Sequence, residues 1–352
     1  MPPQLDFRAY TSGDDCERQR FRVQLREAMQ RWGFVSLVHY GVPSDAIEQL
    51  FAMSRAFFAL DEVHKMSVPH PPVPNPHRGY SYLGQEFTSG LSRAKETEAR
   101  HGRRLRDLKE TFDWGSRHDT LFPSVWPDDA VLPGFRAVLD THFERARELH
   151  RSILRALAES LDADPDTFLA AHQCHDSEAR LAHYPPVQAR DLGSERGTSR
   201  ICEHTDSGSV TLLWQDNAGG LEIEDPATGT FIPVSNPAPA VLVNLGDAME
   251  RWTNGLLPAA YHRVGKPSSS SSTSGSTTGS REGEGNNNDN DDNDDNDDQV
   301  AGRFSIMYFG KPDRNASLAP LGQFVSAERP AKYAVITGAT LNQGTLLRTY
   351  EP

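Results

Sequence analysis

Between residues 179 and 336 the chain breaks into eight short runs rich in β-branched and aromatic residues, each closed by glycine, proline or asparagine. They are 179–183, 210–214, 221–223, 231–234, 241–244, 262–264, 304–309 and 334–336. Short β-rich runs punctuated by turn residues, without a helical stripe between them, argue against a doubly wound parallel sheet. The spacing predicts a sandwich or barrel of the jelly-roll kind, in a chain that is mostly β with flanking helices, an α+β arrangement.

The first half has a different texture. Phe21, Leu25, Met29 and Trp32 fall on one helical stripe, and the run from Gly33 to Val38 reads as a strand ending at the Tyr40-Gly41 turn. A second helix begins near Asp45, which is placed to cap it with Glu48 three residues on; its stripe is Ile47, Leu50, Phe51, Phe57 and Phe58. Prolines between Met66 and Tyr80 predict a loop there. From Phe135 to Leu161 the apolar positions predict one long amphipathic helix. The expected organisation is a helix-rich region over 1–160 and a β core over 161–352.

Residues 267–299 interrupt that core with serine, asparagine and aspartate and contain no large apolar side chain. Nothing in the segment repays the entropy of ordering, so it is expected to be a disordered insert between two strands. It also explains the charge. The chain carries a formal −13, yet nine of its acids lie between Lys266 and Val300 against two bases, which leaves −6 elsewhere. That balance argues against nucleic acid or an anionic membrane as partner.

Three widely spaced cysteines, Cys16, Cys174 and Cys202, suit a reducing compartment better than a disulfide framework. The first residues lack a basic stretch followed by an apolar one, and no run approaches 18 apolar residues. A cytoplasmic monomer is the expectation.

His204 and Asp206 stand two apart just before the run at 210–214. On extended chain such side chains project the same way, about 6–7 Å apart along the backbone, and an imidazole and a carboxylate there suit one metal ion. Two histidines and one carboxylate on a single face of iron(II) leave positions free for dioxygen. The third ligand would come from a distant histidine, and His262 is the sole histidine beyond Asp206. A zinc hydrolase could use the same three groups, but it would leave the Arg-x-Ser pair at 303–305 unexplained. Arg303 and Ser305, again two apart, offer a guanidinium fork and a hydroxyl to a carboxylate.

The runs HTDSGSVTLLWQDNAGGLEI, VNLGDAMERWTNG, HRV and RFS, in that order, resemble the 2-oxoglutarate and iron(II)-dependent oxygenases related to isopenicillin N synthase and the plant flavonoid and gibberellin oxygenases. The front half agrees through Trp32-Gly-Phe34, His39-Tyr-Gly-Val42, Phe57-Phe58, Arg78-Gly-Tyr80 and Asp107-Leu-Lys-Glu-Thr-Phe112. The resemblance runs from Gln4 to Tyr350, the insert excluded.

What the resemblance implies is specific. The fold would be a double-stranded β-helix. His204, Asp206 and His262 would hold iron(II); Arg303, Ser305 and Tyr184 would bind 2-oxoglutarate. Ala182 departs from the asparagine often found there, which removes one polar contact to that co-substrate. Met307, Phe309, Phe112 and Tyr80, with Trp114, would line the substrate pocket. The reaction would oxidise a small organic metabolite of secondary metabolism with dioxygen by hydroxylation, desaturation or ring closure, releasing succinate and carbon dioxide, with ascorbate as reductant in vitro. An iron-dependent oxidase of the same fold that does not use 2-oxoglutarate is the alternative, and Arg303 with Ser305 weighs against it. A binding module on a decayed oxygenase scaffold would not need every ligand kept.

Overall fold

The computed structural model describes residues 1–72, 77–91, 104–193, 196–234, 239–267 and 299–350. The expected insert lies almost wholly outside the described residues. Twelve strands form the two main sheets: β1 (Gln4–Asp6), β2 (Phe34–Val38), β3 (Gly79–Ser81), β4 (Glu110–Gly115), β5 (Glu178–Tyr184), β6 (Ile201–His204), β7 (Val210–Gln215), β8 (Leu221–Asp225), β9 (Thr230–Pro233), β10 (Ala240–Leu245), β11 (His262–Val264) and β12 (Arg303–Gly310). Among the described residues, five helices of six or more residues accompany them: α1 (Asp15–Trp32), α2 (Ser44–Phe58), α3 (Phe135–Ser160), α4 (Asp247–Trp252) and α5 (Gly338–Tyr350).

The major sheet has the order β1-β2-β10-β7-β12-β5-β4-β3, and the minor sheet β9-β8-β11-β6. Only β1 and β2 pair in parallel; the other pairings within both sheets are antiparallel. Four strands of the major sheet come from residues before 160, so the front of the chain extends the core's own sheet. Seven of the eight expected strands are present. The eighth, 334–336, is irregular, and Val335 is 74 % exposed.

Strand alternation divides the major sheet into two chemistries. One face presents Val210, Leu212, Trp214, Val241, Val243, Ile306 and Tyr308 to the helices, where they pack with Phe21, Leu25 and Met29 of α1 and with Leu139, Phe143 and Ile153 of α3. The other face presents Phe34, Ala182, Tyr184, Leu213 and Leu242, which meet Leu221, Ile223 and Val264 of the minor sheet. The site lies between the sheets because the residues of opposite parity on β5, β7, β10 and β12 all look into that gap.

The helices form as their caps and stripes dictate. Asp14 accepts the Glu17 amide at 2.8 Å while Glu17 accepts the Asp14 amide at 3.0 Å, a reciprocal cap worth about 1 kcal/mol. Gly33 ends α1 with φ 60 and returns its N–H to the Met29 carbonyl, turning the chain directly into β2. The cap expected from Asp45 is absent: α2 starts at Ser44 after Pro43, and the Asp45 carboxylate accepts from the adjacent Ala46 amide instead. Proline at the cap position sets the extended entry, so no side-chain cap forms.

Candidate active site

β6 and β11 run side by side with His204 opposite His262. Their rings lie 4.3 Å apart between centroids, and His204 Nε2 is 3.9 Å from Asp206 Oδ1. One ligand atom from each of His204, Asp206 and His262 falls within 4.8 Å of the other two. Corners of an equilateral triangle with that edge lie about 2.8 Å from its centre, against roughly 2.0–2.2 Å for metal bonds to nitrogen and oxygen. Closing on an ion therefore takes shifts of less than about 1 Å. His204 is the last residue of β6, and Asp206 stands two residues on, just past the end of the strand.

The backbone fixes which nitrogen each ring offers. His204 Nδ1 lies 2.9 Å from the Cys202 carbonyl and His262 Nδ1 3.0 Å from the Ala260 carbonyl. A carbonyl only accepts, so each Nδ1 carries the hydrogen and each Nε2 keeps its lone pair. Burial and the neighbouring His262 push the His204 pKa down to about 3, which keeps that lone pair available at neutral pH.

Asp206 is held just as tightly. Its Oδ2 accepts from Thr211 Oγ1 at 2.6 Å and from Asn244 Nδ2 at 2.8 Å, leaving Oδ1 for the histidines. Burial raises its pKa, but His262, His204 and these two hydrogen bonds outweigh it and hold the carboxyl below its ordinary value. Thr211 and Asn244 are register partners on β7 and β10, so neighbouring strands grip one oxygen together. Sequence reasoning missed both; the signal for Asn244 was a lone amide inside the apolar run of β10. Gly246 lets the turn close, since a Cβ there would collide with the carbonyl oxygens of Gly208 and Asp206.

A second row lies deeper. Ser305 stands between Ala182 and Gln215 in register, and Arg303 opposite Tyr184. The Arg303 guanidinium is 1 % exposed, donates to Ser305 Oγ at 3.0 Å and Gln215 Oε1 at 2.8 Å, and lies 4.9 Å over the Tyr184 ring. Its Nε has no partner, and no carboxylate pairs with it among the described residues. A buried cation left with neutral acceptors is a receptor for an anion. Beside it, Ala182 fills the position expected to lack a polar contact.

One cavity joins these groups: His204, Asp206, His262, Tyr184, Arg303 and Ser305 all line it, as do Met307 and Phe309. Phe112, Trp114 and Tyr80 do not. They point to the opposite face of the sheet, where Phe112 is wholly buried against Phe57 and Phe135, and the Tyr80 hydroxyl donates to Glu110 at 2.6 Å. Strand parity explains the correction, because Thr111 and Asp113 take the inward positions of β4. The cavity's far wall comes instead from Glu86, Lys109, Arg180, Lys311 and α5. A second group of possible ligands, His77, Glu86 and Asp113, is already filled by Arg180, whose nitrogens reach all three at 3.0, 2.9 and 2.7 Å.

Three further buried histidines have packing and hydrogen-bond partners away from this cavity. His172 and His150 share the Ser209 hydroxyl at 2.9 and 3.3 Å, and His142 packs edge-on against Trp214.

Residues 3–129 match the family described as non-haem dioxygenase in morphine synthesis, N-terminal, and residues 174–279 match the 2OG-Fe(II) oxygenase superfamily. A 2-oxoglutarate-Fe(II) type oxidoreductase of Metarhizium rileyi is 38 % identical over 98 % of this chain and 90 % of its own length. A proline hydroxylase of Petromyces alliaceus is also 38 % identical, over 98 % of both chains. A protein of Neurospora crassa, solved at full length in complex with alpha-KG and thymine, superposes with a TM-score of 0.80 at 28 % identity, over 98 % of this chain and 96 % of that one. The double-stranded β-helix, the convergent donors and these matches lead to one statement: the chain belongs to the 2-oxoglutarate and iron(II)-dependent oxygenase family.

Proposed function

We propose that in this 2-oxoglutarate-dependent dioxygenase His204, Asp206 and His262 hold the iron, while Arg303, Ser305 and Tyr184 receive the far carboxylate of 2-oxoglutarate. The observation that carries the reading is the pair of locked tautomers beside a carboxylate with one oxygen already occupied. Three donors are thereby pre-aimed at one point, so that binding asks only for small shifts. When bound, iron(II) with 2-oxoglutarate supplies the oxidising power for attack on an unactivated carbon.

The chain's own residues do the rest. Thr211 and Asn244 keep Asp206 ionised and aimed. Arg303 meets the co-substrate's carboxylate with charge-assisted hydrogen bonds, which fixes the orientation of its other end toward the histidines. Leu213, Leu221, Val264 and Met307 line the gap between the sheets and exclude water. Residues 161–352 supply all six site residues and act as the binding core, with residues 1–160 as its support.

The iron oxidase that dispenses with 2-oxoglutarate is disfavoured by Arg303, which would then bury a cation to no purpose. No described helix is long and apolar enough to cross a membrane. The charge balance outside 267–299 supports a small molecule as partner rather than nucleic acid or an anionic membrane.

The test is succinate formation from purified protein with iron(II), 2-oxoglutarate and ascorbate, beside His204→Ala and His262→Ala. Loss of metal binding in both variants is expected. Full metal affinity in either would overturn the assignment.

A further inference from the structure

The inward face of β12 continues past the co-substrate row. Arg303, Ser305, Met307, Phe309 and Lys311 are spaced by two, and all five line the cavity. Read along the chain, they form a cation with a hydroxyl, then two apolar groups, then a second cation. The row passes the metal site at Phe309, between Met307 and Lys311, because Phe309 is the register partner of Thr211, which holds Asp206. Thus one cation lies on each side of the reacting centre. The first has its ligand in 2-oxoglutarate; the second is unassigned.

Lys311 is 8 % exposed. Its Nζ donates to Glu178 and to Asn342 Oδ1 of α5, at 2.7 Å for the latter, which leaves one of its three hydrogens unused. Arg180 donates to Glu86 through Nη1 at 3.0 Å and spends its remaining nitrogens on Asp113, His77 and Glu86, which leaves one Nη1 hydrogen. The Asn342 amide nitrogen makes no hydrogen bond among the described residues.

The acids show the reverse. Glu86 already accepts from Arg180, Lys109, Thr111 and Tyr350. Asp107 and Asp113 are wholly buried and lie outside the cavity lining. The wall therefore has hydrogen-bond donors to spare, two of them cationic, and its carboxylates are engaged. A hydrocarbon substrate packed against those donors would leave them unpaired where it displaces water, at about 1–3 kcal/mol each.

We propose that the substrate is a small carboxylic acid whose carboxylate docks on Lys311, Asn342 and Arg180, with its apolar body against Phe309 and Met307. The proposal rests on the iron and 2-oxoglutarate assignment above and adds the substrate class to it. Docking at Asn342 also engages α5, the element that roofs the cavity.

The probes are straight-chain monocarboxylic acids of four to ten carbons and the L-amino acids, each beside its methyl ester. Binding is read by saturation-transfer NMR on zinc-loaded protein with 2-oxoglutarate present, and turnover by succinate release with iron(II). At least one acid is expected to bind tenfold or more tightly than its ester. Lys311→Met should shrink that ratio to twofold or less. Should that variant fail to fold with Glu178 left unpaired, Asn342→Leu on α5 tests the same donor set and should shrink the ratio at least threefold. Acids and esters binding alike, no acid binding at all, or a ratio untouched in the folded variants would each overturn the proposal. Calorimetry of 2-oxoglutarate on the zinc-loaded wild type separates the two readings. Absent binding sinks the site assignment itself, whereas normal binding without acid preference sinks only the substrate class.

Discussion

Replacing Arg303 by methionine separates the cost of burying a cation from its use. Without co-substrate the guanidinium is bonded to the neutral oxygens of Ser305 and Gln215, and no acid pairs with it among the described residues. Desolvating a cation costs several kcal/mol, and two hydrogen bonds to neutral acceptors return about 1 kcal/mol each. Methionine has similar length and no charge, so Arg303→Met should leave the unfolding temperature of the ligand-free protein equal to or above that of the wild type. Co-substrate binding should suffer in the opposite sense. Truncating one partner of a buried, hydrogen-bonded charge pair costs about 2–5 kcal/mol, which weakens 2-oxoglutarate roughly 30- to 4,000-fold. Arg303→Lys keeps the charge and loses the fork, and should fall between. The assay is thermal unfolding of zinc-loaded protein with and without 2-oxoglutarate. At a hundred times the wild-type Kd the ligand stabilises by about 2.7 kcal/mol, a rise of roughly 4 °C for a chain of this size, and the methionine variant should rise by no more than about 1 °C. A full rise in that variant would refute the carboxylate assignment. A sharp loss of ligand-free stability would refute the claim that the cation is uncompensated.

Three further outcomes follow from the packing around the site. Asn244→Leu removes one of two hydrogen bonds on Asp206 Oδ2 and should lower metal affinity about 10- to 100-fold, with Thr211→Val similar, measured by competition against a chelating dye. Burial pushes the His142 pKa down to about 3, so its unfolded form takes up a proton first. The stability it contributes is complete above pH 6.5 and is lost as pH falls from 6.5 toward 3, at about 1.4 kcal/mol per pH unit. His142→Phe keeps a ring against Trp214 and should flatten the acid limb by that slope in urea titrations between pH 6 and pH 4; an unchanged slope would contradict it. Phe112→Ala should cost about 3–5 kcal/mol of stability, and Tyr80→Phe about 1 kcal/mol. Tyr80→Phe should leave the KM for substrate unmoved, since both residues face the helices; a KM shift would mean they reach the cavity.

Those two residues mark where sequence reading stopped. Arg303 and Ser305 were legible because residues two apart on a strand share a face and a guanidinium beside a hydroxyl has few uses there, and the motifs around His204 and His262 because they stand in the order that the family resemblance requires. Parity on β4 was not legible. Nothing in Glu110-Thr-Phe-Asp-Trp-Gly115 says which alternate set faces a helix and which faces a ligand, since the inward set there, Thr111 and Asp113, is polar and fully buried by the ion-pair network. An amphipathic pattern normally puts the polar set in water, and here both faces are interior. The tautomer locks were invisible for a different reason: the acceptors are the carbonyls of Cys202 and Ala260, and a backbone oxygen has no sequence signature. The far wall is assembled from positions 86, 109, 180, 311 and 342, scattered over a loop, three strand neighbourhoods and the last helix. Chemistry that one strand carries can be read locally. Substrate recognition is built by tertiary convergence, and for that reason the oxidation was legible from the ordered family motifs while the acid it is proposed to act on was not.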